Sequence, residues 1–326
     1  MMNSLAHAPS WPLGLVAALW LALLVDRWLG EPPVRWHPVV WMGQYLGWVG
    51  QRLAPQRSQP GAADYRRFWL GALAWWVGAA LVLIVSLALQ WLVLAWHPVA
   101  GALLLGLLLK PLLAWRMLRD EVQAVEAALQ TSLESGRAQL ARLVSRDVSA
   151  LDEHQVRESA IESLAENLND SVVAPLFWFV LLGLPGAALY RYANTADAMW
   201  GYRGLRSGRD WTWAGKWAAR ADDVLSWLPA RLTALLLALV RGGLPWRALW
   251  AQAPRTPSPN SGWPMAAMAL ALDVRLGKPG VYVLHEAGRV PQTADTARAV
   301  RLGERAVLLW AVLLAAALFF VGENRA

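Results

Sequence analysis

Six apolar runs restrict the solvent in which this chain can fold: Trp11–Val25, Phe68–Ala95, Val99–Trp115, Val172–Leu189, Leu225–Leu244 and Ala306–Val321. Several approach or exceed the roughly 20 residues that an α-helix needs to cross a bilayer. Only 16% of the 326 residues are charged and 57% are hydrophobic, whereas a soluble domain is about a quarter charged. The chain therefore reads as an all-α integral membrane protein with about four to six membrane helices, some of them broken or re-entrant. Residues 1–326 form a single membrane domain in this reading, and residues 116–170 form a cytoplasmic amphipathic helical insertion. The first run is a poor secretory signal, because no Lys or Arg precedes it and no small-residue cleavage site follows before Asp26-Arg27.

Basic residues set the expected orientation. Six Lys/Arg lie between Asp26 and Arg67, none in the His97-Pro98 turn, and seven between Lys110 and Asp170. The positive-inside rule puts the N-terminus outside and both long loops in the cytoplasm. Within the second loop, Gln123–Asp152 has the pattern of an amphipathic helical pair broken near Ser135-Gly136. Six more Lys/Arg lie in Tyr190–Val224, and two plain crossings on either side would place them outside. Val172–Leu189 contains Pro175, Gly183 and Pro185, and Leu225–Leu244 contains Pro229 and Arg231. A charge deep in the bilayer costs at least roughly 2.5–3.5 kcal/mol. Both segments are thus expected to be interrupted or re-entrant and packed against protein.

Several chemistries are excluded at once. The chain has no cysteine, so disulfides, iron–sulfur clusters and thiolate catalysis are absent. Its five histidines are scattered without metal-site spacing. Many of the 22 tryptophans sit at the ends of apolar runs, as an interfacial belt would require. The net charge of +7 follows from the basic loops. No basic stripe interleaved with aromatics points to nucleic acid, and no Walker A, GxGxxG or GxSxG sequence appears.

Five polar blocks abut the apolar runs. LGEPPVRWHPV, Leu29–Val39, is a proline-rich exit from the first run in which Glu31, Arg35 and His37 are candidate site residues. The second block holds Glu158, Glu162, Glu166 and Asp170 at every fourth position, with Asn167 and Asn169 among them. Like charges at that spacing repel by a few tenths of a kcal/mol per pair. A cation, or a substrate bearing one, would explain the stripe. Hard cations such as Mg²⁺ prefer carboxylate oxygens and usually bring nucleotide phosphates, so one or two of Glu162, Glu166 and Asp170 are candidate ligands. The third block, Tyr190–Arg203, puts Asn194 and Asp197 on one helix face ahead of Arg203. In the fourth, Ala218–Ala234, Arg220, Asp222 and Asp223 enter an apolar helix that carries Arg231. Asp223 and Arg231 either pair directly or share a substrate. The fifth, Ser258–Pro264, offers Asn260 or Ser261 as the cap of a helix whose free amides suit a phosphate.

Taken together, the stretches LGEPPVRWHPV, ESLAENLNDSVVAPLF, YRYANTADAMWGYR, ARADDVLSWLPARLTA and SPNSGWP resemble the CobD/CbiB family of cobalamin biosynthesis, the membrane-bound adenosylcobinamide-phosphate synthases. They occur in family order from the first apolar run to about Gly277. Met265, after the last block, and Lys278, after Gly277, depart from the family pattern. The resemblance implies ATP-dependent amide ligation of adenosylcobyric acid with (R)-1-amino-2-propanol or its O-phosphate. It further implies a bacterial inner-membrane protein with its site facing the cytoplasm. Its partners would be the lipid bilayer, the corrinoid and amine substrates, and other membrane enzymes of the pathway, with no nucleic acid.

Residue roles follow from that expectation. Glu162, Glu166 and Asp170 would hold Mg²⁺–ATP or position the ammonium of the amine. Arg203, Arg220 and Arg231 would neutralise phosphates and developing charge. Asp222 or Asp223 would deprotonate the amine. His37, Asn167, Asn194, Asp197 and the Asn260-Ser261-Gly262 turn would position substrate. A non-enzymatic membrane sensor on the same scaffold and a secondary transporter are the competing classes, although no internal repeat suggests the latter. Because the chain is naturally free of cysteine, Ser207→Cys provides a single reporter of orientation. A membrane-impermeant maleimide should label it in inverted vesicles and not in intact cells.

Overall fold

The computed structural model describes residues 11–56 and 63–323 and is predominantly helical, with two short hairpins. Among the described residues, five helices are long and apolar enough to cross a membrane. Contacts divide the chain into two compact units.

The first unit comprises Met1–Leu113, Ala174–Leu225 and Leu314–Ala326. It contains α1 (Trp11–Leu29), α2 (Pro38–Leu53), α3 (Tyr65–Leu94), α4 (Pro98–Leu109) and α8 (Ala174–Trp200), with the start of α9 (Lys216–Arg241). Small residues allow these helices to approach closely. A Cβ on Gly106 would lie 2.8 Å from the Ala18 carbonyl oxygen, which brings α4 against α1. A hairpin, β1 (Leu205–Arg206) with β2 (Arg209–Asp210), turns at Ser207-Gly208 with both φ angles positive. Such two-residue turns match the twist of the strands they join.

The second unit comprises Ala114–Val173 and Ser226–Leu313. Its helices are α5 (Trp115–Thr131), α6 (Leu133–Leu140), α7 (Glu153–Leu168), the larger part of α9, α10 (Trp246–Gln252), α11 (Gly262–Leu272) and most of α12 (Thr293–Glu323), with hairpin β3 (Leu276–Lys278) and β4 (Tyr282–Leu284). Helix α7 starts with a capping box, Asp152 and Gln155 each satisfying the other's backbone N–H. It ends in a π-helical turn, Asn169–Val173. Most of α7 is buried, and its charges are matched. Arg157 binds Glu126 of α5 through two hydrogen bonds of 2.8 and 2.9 Å, and Thr296 donates to the same carboxylate at 2.7 Å. Removing one partner of such a pair strands the other charge, at a cost of about 3–5 kcal/mol.

Three expectations about helix breaks meet different outcomes. Val172–Leu189 is interrupted as expected: Gly183 has φ 71° and ψ −158° within α8. The Leu184 amide released there donates to Gln90 Oε1 of α3 at 2.7 Å. Leu225–Leu244 is not interrupted within α9, which runs unbroken through Pro229 to Arg241. A proline removes the bond to the carbonyl four residues earlier, here that of Leu225, and the Trp178 indole N–H supplies the missing donor at 3.1 Å. The α5–α6 break falls at Ser132 rather than at Ser135-Gly136, because Ser132 Oγ caps the Ser135 amide. Gly136 lies inside α6, where a Cβ would collide with Leu129 at 2.4 Å.

A buried ionic cluster ties the C-terminal end of α1 and the segment after it to the end of α4. Lys110, 3% exposed, lies 3.3 Å from Asp26 and 2.9 Å from Glu31, and Glu31 also meets His37 at 3.0 Å. Burial alone would raise the Glu31 carboxyl, but hydrogen bonds and charge from His37 and Lys110 outweigh it and hold its pKa below the ordinary value. A depressed carboxyl contributes stability above its unfolded pKa and loses it as pH falls through the folded value. Thermal stability in detergent should therefore fall as pH drops below the ordinary Glu range of about 4.3, and Glu31→Gln should flatten that acid limb. Gln90→Met, which keeps side-chain length but leaves the Leu184 amide unpaired, should cost about 1–3 kcal/mol in the same melts.

Candidate active site

In the first unit, the third and fourth polar blocks come together. Asn194 and Asp197 lie near the C-terminal end of α8, and Asp222 and Asp223 lie in the second turn of α9. Asn194 Nδ2 approaches Asp222 Oδ1 at 3.5 Å, while Asn194 Oδ1 accepts from Arg191 at 3.3 Å. Two glycines make this packing possible. A Cβ on Gly201 would lie 1.9 Å from Asp197 Oδ1, and one on Gly215 would lie 1.6 Å from the Trp200 carbonyl oxygen. Trp200 stacks on Trp211 at 6.0 Å and donates to the Leu46 carbonyl, which anchors the loop beneath.

The result is a pocket of about 470 Å³ lined by Gly201, Tyr202, Arg203, Thr212, Lys216, Ala219, Arg220 and Asp223. Three cations there face one carboxylate. Arg203 and Arg220 both act electrostatically on Asp223, and Lys216 rests 4.0 Å over the Trp213 ring. Lys216 and Thr212 are not among the sequence candidates. Lys216 opens an apolar helix, where it resembles an ordinary interfacial anchor.

In the second unit, the acid stripe is less free than its sequence suggests. Glu158, given no site role from sequence, is buried and paired with Arg275 at 3.3 Å. The two line a pocket of about 340 Å³ with Gln155, Lys278 and the turn of the β3–β4 hairpin. Glu162 lies 3.8 Å from Arg146 and interacts with the Tyr282 hydroxyl. Burial first, then the neighbouring Glu162 and Glu166 carboxylates, raise the Tyr282 phenol above its ordinary pKa and keep it a donor. Tyr282 also meets Met265 Sδ at 3.8 Å, so the departure at Met265 is packed against the same cluster. Asn167 folds back on the Ser163 carbonyl at 2.9 Å, and Asp170 accepts from Asn169 at 2.7 Å. Among the described residues, no group of three or more His, Asp or Glu side chains is arranged to hold a metal ion. A metal on this stripe would rest on fewer carboxylates, completed by oxygens from substrate. Glu162 fits such a role, since its Oε1 is buried without a hydrogen-bond partner.

Two sequence expectations are corrected around Asn260. The turn before α11 is capped by Ser258, whose Oγ accepts from the amides of Asn260 and Ser261 at 3.2 and 3.3 Å. Ser261, the N-cap of α11, makes no side-chain cap, and Gly262 is needed because a Cβ would lie 2.0 Å from the Ala253 carbonyl oxygen. Asn260 Oδ1 instead accepts from Arg231 at 3.1 Å. The Arg231 guanidinium also lies over the Trp227 and Trp263 rings at 4.3 and 4.8 Å. His37 belongs to the buried cluster with Glu31 described above. Beyond the matched blocks, His285 bonds Asp273 at 2.7 Å, and that hydrogen bond lowers the exposed Asp273 carboxyl.

Comparison with known proteins gives a consistent family. The family described as CobD/Cbib protein matches residues 19–310. A relative named cobalamin biosynthesis protein CobD, from Chromobacterium violaceum, is 42% identical over 94% of this chain and 97% of its own length. A relative from Methanothermobacter thermautotrophicus named probable cobalamin biosynthesis protein CobD is 37% identical over 94% of this chain and 99% of its own length. The cobalamin biosynthesis protein CobD of Halalkalibacterium halodurans is 38% identical over 82% of each. No solved structure matches. The match spans most of the chain and takes in all five polar blocks: the chain is a multi-pass membrane member of the CobD/CbiB family of cobalamin biosynthesis.

Proposed function

We propose that this chain is a ligase that joins adenosylcobyric acid to (R)-1-amino-2-propanol or its O-phosphate, giving adenosylcobinamide or its phosphate at the expense of ATP. The observation that supports this is the pocket in which Arg203, Lys216 and Arg220 surround Asp223. Amide formation from a carboxylate needs three things: neutralisation of phosphate charge, a base for the amine, and donors for the tetrahedral oxyanion. Arginine and lysine supply the first and third, because guanidinium donors match phosphate and oxyanion geometry. Asp223 supplies the second, with Asp222 held beside it by Asn194. A carboxylate positioned to accept the ammonium proton leaves a neutral amine able to attack an activated carboxyl.

ATP provides the phosphoryl group that activates the propionate carboxyl. Glu162 and Glu166, with Asp170 as a third candidate, would hold Mg²⁺ together with nucleotide oxygens. Arg231, fixed between two indoles and Asn260, offers a cation that keeps its direction without substrate. Asp197 and the Asn260-Ser261-Gly262 turn would orient the substrates, with access from the cytoplasm in a bacterial inner membrane and with neighbouring pathway enzymes in the same bilayer.

The test uses the purified protein in detergent with adenosylcobyric acid, each amine in turn, and Mg²⁺–ATP, read by mass spectrometry of the amide product. Product is expected with at least one amine. Asp223→Ala and Glu166→Ala should each lower turnover by about 10²–10⁴, the range of general acid–base catalysis and of lost charge placement, while leaving helicity intact. No product with either amine, and no bound corrinoid, would overturn the ligase assignment. Full activity in both variants would overturn the residue roles alone.

A further inference from the structure

A second cavity of the first unit is larger than the basic pocket and shares no lining residue with it. It measures about 880 Å³ and is lined by α2, α3, the ends of α1 and α4, and part of α8. Its only charged lining residues are Glu31 and Lys110. The hydroxyls along it are already committed. Tyr45 donates to the Ala74 carbonyl at 2.8 Å, Tyr192 to that of Trp75 at 3.1 Å, and Ser86 to that of Val82 at 2.6 Å. A guest in the body of the cavity therefore meets mostly hydrocarbon and no free hydroxyl. Water there would give up hydrogen bonds without replacement, and apolar cavities of this kind stay dry.

Its placement suggests the occupant. The long wall is α3, a candidate membrane span, along the face Gly78, Leu81, Val82, Val85, Ser86 and Leu89. Leu81 and Val85 are 55% and 48% exposed, so the cavity opens sideways onto the surface that meets the bilayer. From Gly78 to Leu89 the helix rises about 16 Å at 1.5 Å per residue. That is close to half of a hydrocarbon core of about 30 Å, the depth reached by one acyl chain of one leaflet. The charged part of the lining complements a donor: Glu31 meets Lys110 and His37 through Oε2, and its Oε1 is buried without a hydrogen-bond partner.

We propose that this cavity is a lipid site which takes one acyl chain of a membrane aminophospholipid, with the primary ammonium of the head group bound at Glu31. The site is independent of the ligation chemistry and would be occupied with or without corrinoid.

The test reconstitutes the full chain in nanodiscs containing a phosphatidylethanolamine with a diazirine on its acyl chain. After irradiation, crosslinked peptides are mapped by mass spectrometry. Labelling should concentrate on residues 78–89. Val85→Trp and, separately, Leu89→Phe should each lower it by about tenfold, whereas Leu87→Trp, on an exposed position outside the cavity, should not. Equal labelling in both filled variants, or labels spread evenly along the exposed face of α3, would overturn the proposal. With phosphatidylglycerol carrying the same chain, labelling should be about tenfold weaker, in line with one charge-assisted hydrogen bond, and Glu31→Gln should abolish the difference. Equal labelling by the two head groups would remove the role given to Glu31. Loss of the crosslink on adding adenosylcobyric acid would reassign the cavity to the corrin ring.

Discussion

A helix passing through hydrocarbon has no water to complete its hydrogen bonds, and each unsatisfied group there costs several kcal/mol. The irregular features of this chain are tolerated because a specific side chain answers each one. Gln90 supplies the acceptor for the amide freed at Gly183, and Trp178 supplies the donor for the carbonyl freed by Pro229. Asp26 and Glu31 surround the buried Lys110 ammonium. In each case the compensating residue lies on another element, so these polar contacts also fix which helices are neighbours. Specificity of packing in an apolar medium comes from such contacts more than from hydrophobicity, since lipid is as apolar as leucine.

The same accounting separates the two clusters of candidate residues. In the second unit, Glu158 and Glu162 have cationic neighbours in Arg275 and Arg146, and Arg157 is matched by Glu126 and Glu153. Charge is balanced inside the protein, and Glu162 Oε1 stands out as an open acceptor. In the first unit, Arg203, Lys216 and Arg220 share a pocket with one carboxylate. An excess of cations in a concave site is most simply balanced by an anionic ligand. The two clusters thus differ in what they leave unmet: the acid stripe is answered largely by the protein's own cations, whereas the basic pocket carries an excess of positive charge.

What could be read from sequence was what is local. The apolar runs announce the membrane helices because hydropathy is summed over adjacent residues, and Gly183 next to Pro185 announces the break in α8. Asn194, Asp197, Asp222 and Asp223 stood out because polar residues at the edge of an apolar run are costly unless used. Lys110, by contrast, reads as one more loop cation, for nothing in its neighbourhood announces Asp26 and Glu31, some 80 residues away in the chain. Pro229 reads as a break in the sequence because its compensating donor, Trp178, is remote along the chain. The β3–β4 hairpin carries no strong strand pattern, so the residues it brings to Glu158 and Glu162 were invisible. Asn260 and Ser261 read as caps because they stand immediately before the helix, whereas the Ser258 hydroxyl, two and three residues upstream, reaches both amides.

The geometry of the acid stripe explains why its even spacing does not make a three-carboxylate metal site. A residue every fourth position on an α-helix advances about 40° around the axis per step, so three steps from Glu158 to Asp170 turn the stripe through about 120°. The π-helical turn at Asn169–Val173 displaces the last member further. The carboxylates accordingly address different partners: Glu158 meets Arg275, Glu162 meets Arg146 and Tyr282, and Asp170 meets Asn169. Elsewhere on α7, Arg157, itself paired with Glu153 one turn away, locks the helix to Glu126 of α5. That rigid attachment is what a graded stripe requires. With the axis fixed by a buried ion pair, each carboxylate keeps a distinct direction, and a cation bridging two adjacent members would meet oxygens already preorganised rather than a flexible acidic face.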